Sequence, residues 1–440
     1  MPREIPAVPT GWQSPRLSAG HSFEMELITP MFGGGVETRI NDRDFPIRPT
    51  SIRGQLQFWW RATVGAQYAT PHELRAAQSA VWGDTTQASH VEVQVEATKV
   101  GPLKPCAQFE RDNKSCYRSM PTWNDPFKNS ALPYVLFPFQ GQLAKERSEI
   151  EVKPASCIHG ACFTLTLRCR EGIDFETQLE PALRAWVNFG GLGSRTRRGC
   201  GAIVCKELAP KNRDDLFSYL VKFLQAPREA REWPTLAAAF LVGNTQSDAL
   251  AAWKEVVQKF RDFRQGEKVG RNSGQQPNRP GRSRWPEPET IRRITNQRLQ
   301  KHERLKHVPD YAFPRAELGL PIVFHFQESG DPPETVLYPN NDSEGNRRER
   351  MASPLILKPL ALGNGEFVPL VLRLKTPVLE GVDLREGERS LQLPQETLIR
   401  GGELAEHPDS PMHGRSSNGS AIEAFLAYAK SQGFEEVKRS

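Results

Sequence analysis

Apolar and polar residues alternate along several stretches of the chain, and the period of the alternation predicts its elements. Phe23, Met25 and Leu27 alternate with Ser22, Glu24 and Glu26, the period-two signature of a half-buried strand. Past Gly33, Gly34 and Gly35, Ser51 is a candidate cap for a helix whose Ile52, Leu56, Trp59 and Thr63 recur at i, i+4, i+7 and i+11. A shorter helix is expected from Thr70, with Pro71 at its first position, Glu73 closing a capping box and Gly83 stopping it. Val91, Val93, Val95 and Ala97 mark a second strand, and Phe163, Leu165, Leu167 and Cys169 a third. Leu179, Leu183, Trp186 and Val187 share a helical face that Gly190 and Gly191 end, and a last strand starts near Ala202. Strand, helix, strand, strand, helix, strand is the split βαβ order called ferredoxin-like.

The second half repeats these ingredients less regularly. Leu250, Trp253, Val257 and Phe260 form one helical face, strands are expected at 320–326, 354–362 and 367–374, and a capped helix at 420–431. Residues 101–130, rich in Pro, Asn, Asp and Lys, read as a surface excursion. The fold class expected is α+β: two ferredoxin-like (RRM-like, split βαβ) domains with loop insertions, at 1–210 and 211–440.

Charge refines that picture. The 58 Lys and Arg against 52 Asp and Glu leave a net +6, yet residues 261–306 alone carry 13 basic and 5 acidic residues, so the remainder is slightly acidic. This 261–306 stretch is expected to be a basic, mobile loop, above all 271–284, which lacks packed-core composition, with Arg282 and Arg284 as phosphate ligands. The absence of an 18-residue apolar run or a signal-like opening predicts a cytoplasmic chain with no membrane contact. Seven cysteines, an odd number, are expected to be thiols and not a disulfide framework.

The most informative segment is 188–201, whose Gly-rich part is 190–201. Five glycines there allow close backbone approach, and Arg195, Arg197 and Arg198 bring guanidinium forks suited to an anion. It is no nucleotide-triphosphatase loop, because it runs from helix to strand and no Gly-Lys-Ser/Thr follows. On the first helix Arg53, Gln57 and Arg61 fall at i, i+4 and i+8, a basic stripe able to lie along RNA, with Arg48 just ahead of it. Trp59 and Trp60 are adjacent, so one of them, Trp60, is the candidate ring for base stacking, with packing of both as the alternative. An endonuclease alternative rests on His21 as an acid or base. Cys157, His159, Cys162 and Cys169 have a spacing near that of a zinc knuckle, but strand alternation splits them, so no metal and no cofactor are expected.

The segments RPTSIRGQLQFWWR after TPMFGGG, GGLGSRTRRGCG, and LGLPIVF followed by RMASPLILKP resemble the RAMP superfamily of CRISPR proteins. They most resemble the large head subunits of type III-B (Cmr) effector complexes, over most of residues 20–375. The resemblance implies paired ferredoxin-like domains and a non-catalytic subunit, with RNA cleavage by Asp42 or Asp44, in the loop after the first strand, as the alternative. Its implied ligands are the 3′ side of the guide RNA and the matching target RNA. Its implied partners are the backbone and small subunits of the effector.

Overall fold

The computed structural model describes residues 19–33, 35–111, 117–120, 131–144, 149–224, 231–273, 282–299, 309–326, 328–341 and 345–438. Its first sheet contains β1 (His21–Leu27), β2 (Val91–Lys99), β3 (Cys162–Cys169) and β4 (Ile203–Val204), antiparallel in the spatial order β4-β1-β3-β2. Helices α1 (Pro49–Ala62) and α2 (Pro71–Trp82) link β1 to β2. The short α3 (Leu132–Leu136) lies in the β2–β3 connection, and α4 (Glu180–Phe189) leads towards β4. Register explains the packing. Phe23 faces Leu165 and Met25 faces Phe163 across β1 and β3, so their apolar rows share the covered side.

Helix α5 (Arg213–Val221) leads to a second sheet of β5 (Thr235–Val242), β6 (Leu355–Ala361), β7 (Phe367–Lys375) and β8 (Glu435–Glu436). Its spatial order is β8-β5-β7-β6, the order of the first sheet repeated. After β5 comes α6 (Ala249–Gln265), then α7 (Glu287–Thr295), and α8 (Ala421–Ser431) precedes β8. A third small sheet, Ile322–Phe324, Thr335–Pro339, Val382–Glu386 and Arg389–Leu391, has its own core around Phe313 and Leu337.

All seven residues of β6 are buried, because its two faces meet different neighbours. Leu355 and Leu357 join the cluster around Trp253 and Phe260 of α6, while Ile356 and Leu360 join the cluster that holds Trp59 and Phe189 of the first half. A strand covered on both faces loses the apolar/polar alternation, and here even Lys358 is buried. The boundary expected at residue 210 thus separates two sheets, but the buried cluster is continuous across it.

Several local expectations change. α1 begins at Pro49 with Arg48 at its cap position, not at Ser51, because proline at the first helical position has φ preset and no N–H to leave unpaired. The 261–306 segment is not one loop. α6 runs into it, α7 occupies part of it, and Arg271 pairs with Ser283. Fully buried Trp285 donates its indole N–H to the Arg264 carbonyl at 2.8 Å, and Ile291 is also buried, so apolar anchors hold the stretch. Residues 274–281, the centre of the expected mobile loop, lie outside the described residues. The 101–130 excursion contains the short strands Leu103–Pro105, Gln108–Arg111 and Tyr117–Met120, with 112–116 and 121–130 outside the described residues. Among the described residues no helix is long and apolar enough to cross a membrane.

Candidate nucleic-acid interface

The Gly-rich loop is seated where the two sheets meet. The Gly201 N–H donates to the Pro30 carbonyl at 2.8 Å, and the Ser194 N–H to that of Phe32 at 2.8 Å, fastening the loop to the chain after β1. Buried Thr29 donates to the Gly199 carbonyl at 2.7 Å and accepts from the Ala202 N–H at 2.8 Å. Two glycines are compulsory. Gly199 and Gly201 both have positive φ; a β-carbon on Gly199 would lie 2.3 Å from Nε1 of Trp253, and one on Gly201 would lie 1.9 Å from the Leu192 oxygen.

The three arginines of this loop separate by role. Arg198 donates to the carbonyls of Leu355 (2.8 Å) and Leu318 (3.2 Å), its own carbonyl accepts from Nε1 of Trp253 at 2.7 Å, and its guanidinium lies 4.9 Å from the Phe260 ring centre. Burial first, then the neighbouring charges of Arg195 and Arg264, push its pKa down to about 9, which still leaves it protonated at neutral pH. Arg197 donates to the Ser353 carbonyl and sits 5.6 Å from the Phe58 ring centre, and burial lowers its pKa as well. These two clamp the first half onto the second instead of facing a ligand. Arg195, held at φ 58°, keeps an exposed surface although burial lowers its pKa too, and it has no side-chain hydrogen bond or ion pair among the described residues.

The α1 stripe is turned towards α2. Arg53 donates to the Trp82 carbonyl at the end of α2, and Arg61 donates to Oε1 of Gln78 at 3.1 Å, its pKa lowered by burial. Gln57 lies between them, half-buried. Trp60 has no exposed surface and stacks on Tyr68, so it is a core ring and offers no face to a base. Arg48 is paired with Asp42 at 2.8 Å. Trp60 is thereby corrected as a stacking ring, and the stripe's two charges, eight residues apart on one face, each bond to α2.

Arg284 donates to the carbonyl of Lys268 and pairs with Asp409 at 3.2 Å, and the Arg282 carbonyl accepts from the Asn272 N–H at 2.8 Å, so both belong to the closed base of the 271–284 stretch. Nearby, Arg292 forms two bonds to Asp331, at 2.9 and 3.0 Å, and Arg293 and Arg298 both reach buried Glu289. Acidic partners therefore absorb much of the local positive charge.

The residues proposed for cleavage are occupied otherwise. Asp42 accepts from the N–H groups of Phe45 and Asp44, at 3.0 Å each, and from Arg48; the Phe45 bond first, and Arg48 next, hold its pKa below the usual range. Asp44 is exposed, and the His21 ring stacks on Phe175 at 3.8 Å. Cys157 is buried on the strand Ser156–Ile158 of a different sheet from Cys169, and burial pushes its thiol up to about 12. No group of three or more His, Cys, Asp or Glu is placed to hold a metal among the described residues.

The open face of the first sheet presents Glu24, Glu26, Glu92 and Glu96 around Arg168 and, among the described residues of its strands, carries no aromatic ring. This is the reverse of a base-stacking sheet platform, which needs rings and positive potential. Positive charge gathers instead beside the Gly-rich loop. Arg264, in the last turn of α6, lies 5.5 Å from the same Phe260 ring centre as Arg198 and donates to the Tyr134 hydroxyl at 2.7 Å. The sequence pattern missed both residues, since only the fold brings α3 and α6 to the loop.

Residues 24–204 match the RAMP superfamily, a span that includes α1 and the Gly-rich loop but not α6. The CRISPR system Cmr subunit Cmr1-2 of Pyrococcus furiosus is 27% identical over 188 residues, 41% of this chain and 92% of that protein. The apo crystal structure of Cmr1 from Pyrococcus furiosus aligns over 96% of this chain and 99% of its own, at 16% identity and a TM-score of 0.47. A chain of the type III-B Cmr-beta cryo-EM structure bound to cognate target RNA aligns over 81% of this chain and 96% of its own, at 13% identity and a TM-score of 0.43.

Proposed function

With residues 24–204 identified as a RAMP-superfamily segment, we propose that the chain is a non-catalytic RNA-binding subunit of a type III-B CRISPR ribonucleoprotein. It works in the cytoplasm beside other Cmr subunits and contacts guide RNA on its 3′ side together with target RNA. Both four-stranded sheets are read as ferredoxin-like units on their shared strand order. The observation that carries the reading is the Gly-rich loop at their junction, fixed by Arg197 and Arg198 and leaving Arg195 exposed and unpaired for a phosphate. Recognition is of backbone charge and shape rather than base identity, since arginine forks on a loop fit phosphates of any sequence.

The non-catalytic part is supported by the engagement of Asp42 in its own turn and by the stacking of His21. Labelled single-stranded RNA incubated with the purified chain, with and without Mg²⁺ or Mn²⁺, should be retarded and stay intact. Site-specific cleavage abolished by Asp44→Ala would overturn the reading in favour of a RAMP-type endonuclease. Failure to retain RNA at low salt would reduce the chain to a scaffold.

A further inference from the structure

Arg197 and Arg198 anchor the far end of the Gly-rich loop, and a different set of groups holds its start. α4 ends at Phe189, so the carbonyls of its last turn have no partner within the helix. Lys358 of β6 donates to two carbonyls there, Gly190 at 2.9 Å and Val187 at 3.3 Å, and the indole N–H of Trp186 donates to the next one, Gly191, at 3.1 Å. Space at the point of departure is tight: a β-carbon on Gly190 would lie 2.6 Å from Nε1 of Trp59 and 2.7 Å from the Trp186 oxygen. Lys358 lies on the same face of β6 as Ile356 and Leu360, inside the cluster shared by both halves.

No carboxylate pairs with this lysine among the described residues. β7 turns Val368, Leu370 and Leu372 to its side and β5 turns Phe240, none of them charged. On α4, Arg184 is paired with Glu180 at 2.7 Å, and Tyr219 of α5 is bonded to Asn188 and the Leu208 carbonyl. Arg53 and Arg61 of α1 are spent on α2, and Arg197 and Arg198 on the carbonyls of Ser353 and Leu355. An ammonium so placed is favoured by the negative end of a helix, and burial pushes its pKa down to about 7.

We propose that Lys358 is a positioning residue for RNA binding: its ammonium fixes where the Gly-rich loop leaves α4, and RNA binds with that ammonium formed, so that binding takes up a proton wherever the free lysine is neutral. The proposal rests on the RNA-binding reading above, and Lys358 acts through the loop, being itself buried. Two forces favour the ammonium in the bound state. It holds carbonyls at a helix C-terminus more strongly than a neutral amine does. A polyanion at the loop also attracts a cation buried behind it, where solvent screens little. The free chain pulls the other way, because a buried charge without a counter-charge destabilises the fold. Stability and RNA affinity therefore depend on pH in opposite directions. Above pH 7 the unfolded lysine keeps a proton that the folded one has released, so stability rises with pH while affinity falls. A residue with only a structural role would move both the same way.

The test is the affinity of the full chain for a short single-stranded RNA between about pH 6.5 and 8.5 at fixed ionic strength, with binding calorimetry in two buffers of different ionisation enthalpy. The wild type should lose affinity by up to about tenfold per unit above pH 7 and take up about one proton at the alkaline end. Lys358→Met should bind weakly with a flat profile. A wild-type affinity that is constant or rises with pH overturns the proposal. Should Lys358→Met fail to fold, the wild-type calorimetry decides alone, and zero proton uptake overturns it. Hydrogen exchange without RNA separates the loop from the ligand: Lys358→Met should lose amide protection in 190–201 before other segments. If it does, and the wild type retains no RNA at low salt and about pH 6.5, the RNA-binding reading falls while the positioning of the loop stands. Unchanged protection of 190–201 in the variant overturns the positioning.

Discussion

Arg195, Arg197 and Arg198 are one residue type within four positions, yet only Arg195 is left for a ligand. Composition made all three legible as anion ligands and could not separate them, because what distinguishes them is the Leu318, Ser353 and Leu355 carbonyls that arrive from the other half of the chain. Arg198→Met should therefore destabilise the protein by about 2 to 3 kcal/mol, since a buried carbonyl left without its donor costs about 1 to 3 kcal/mol. Arg195→Gln should leave stability within about 0.5 kcal/mol of wild type, as an exposed substitution does. Denaturant unfolding of the two variants checks both. Lys358 is a second residue no pattern marked. It is buried in β6 and donates to the carbonyls of Gly190 (2.9 Å) and Val187 (3.3 Å) at the end of α4, and burial pushes its pKa down from 10.5 to about 7. Between pH 7 and 10.5 the unfolded chain keeps a proton that the folded lysine has released, so stability rises with pH across that window, by up to about 1.4 kcal/mol per unit. Lys358→Met should flatten the rise, measured as unfolding free energy from pH 7 to 9.

Elements were legible where their determinants are local. The capping box at the start of α2 is formed, Thr70 Oγ1 accepting from the Glu73 N–H at 3.2 Å and the Glu73 carboxylate from the Thr70 N–H at 3.2 Å. The alternation of β1 and β3 gave their inward faces correctly for the same reason. α7 was not legible, because its buried positions include Glu287 and Glu289, whose burial depends on Arg315 and Arg298 from outside the helix as well as on Arg293 one turn along it. The stripe on α1 was read correctly as a stripe but with the wrong neighbour: periodicity says which residues share a face, not what covers it. Replacing Arg53 and Arg61 by alanine should cost about 1 to 3 kcal/mol by unmaking their bonds to α2, and should leave the salt dependence of RNA binding unchanged. A drop in that salt slope would return α1 to the interface.

For the whole molecule, the succession of main strands and helices in the first half could be anticipated, while the shared core could not. β6 had to be seen between α6 and the first-half helices before its unbroken burial had a reason. That joint fixes where positive charge is exposed, beside the Gly-rich loop, and leaves the open face of the first sheet acidic. Changing Glu24, Glu26, Glu92 and Glu96 together to glutamine should consequently leave RNA affinity unchanged or slightly higher, because only long-range repulsion is removed. A loss of affinity would place RNA on that face. The most direct measurement is the affinity of the purified chain for single-stranded RNA over a range of salt concentrations, for the wild type and Arg195→Gln. The variant should bind more weakly, with a slope of log affinity against log salt shallower by about 0.7, the value for one lost phosphate contact on a single strand. An unchanged affinity and slope would contradict the junction as the seat of RNA.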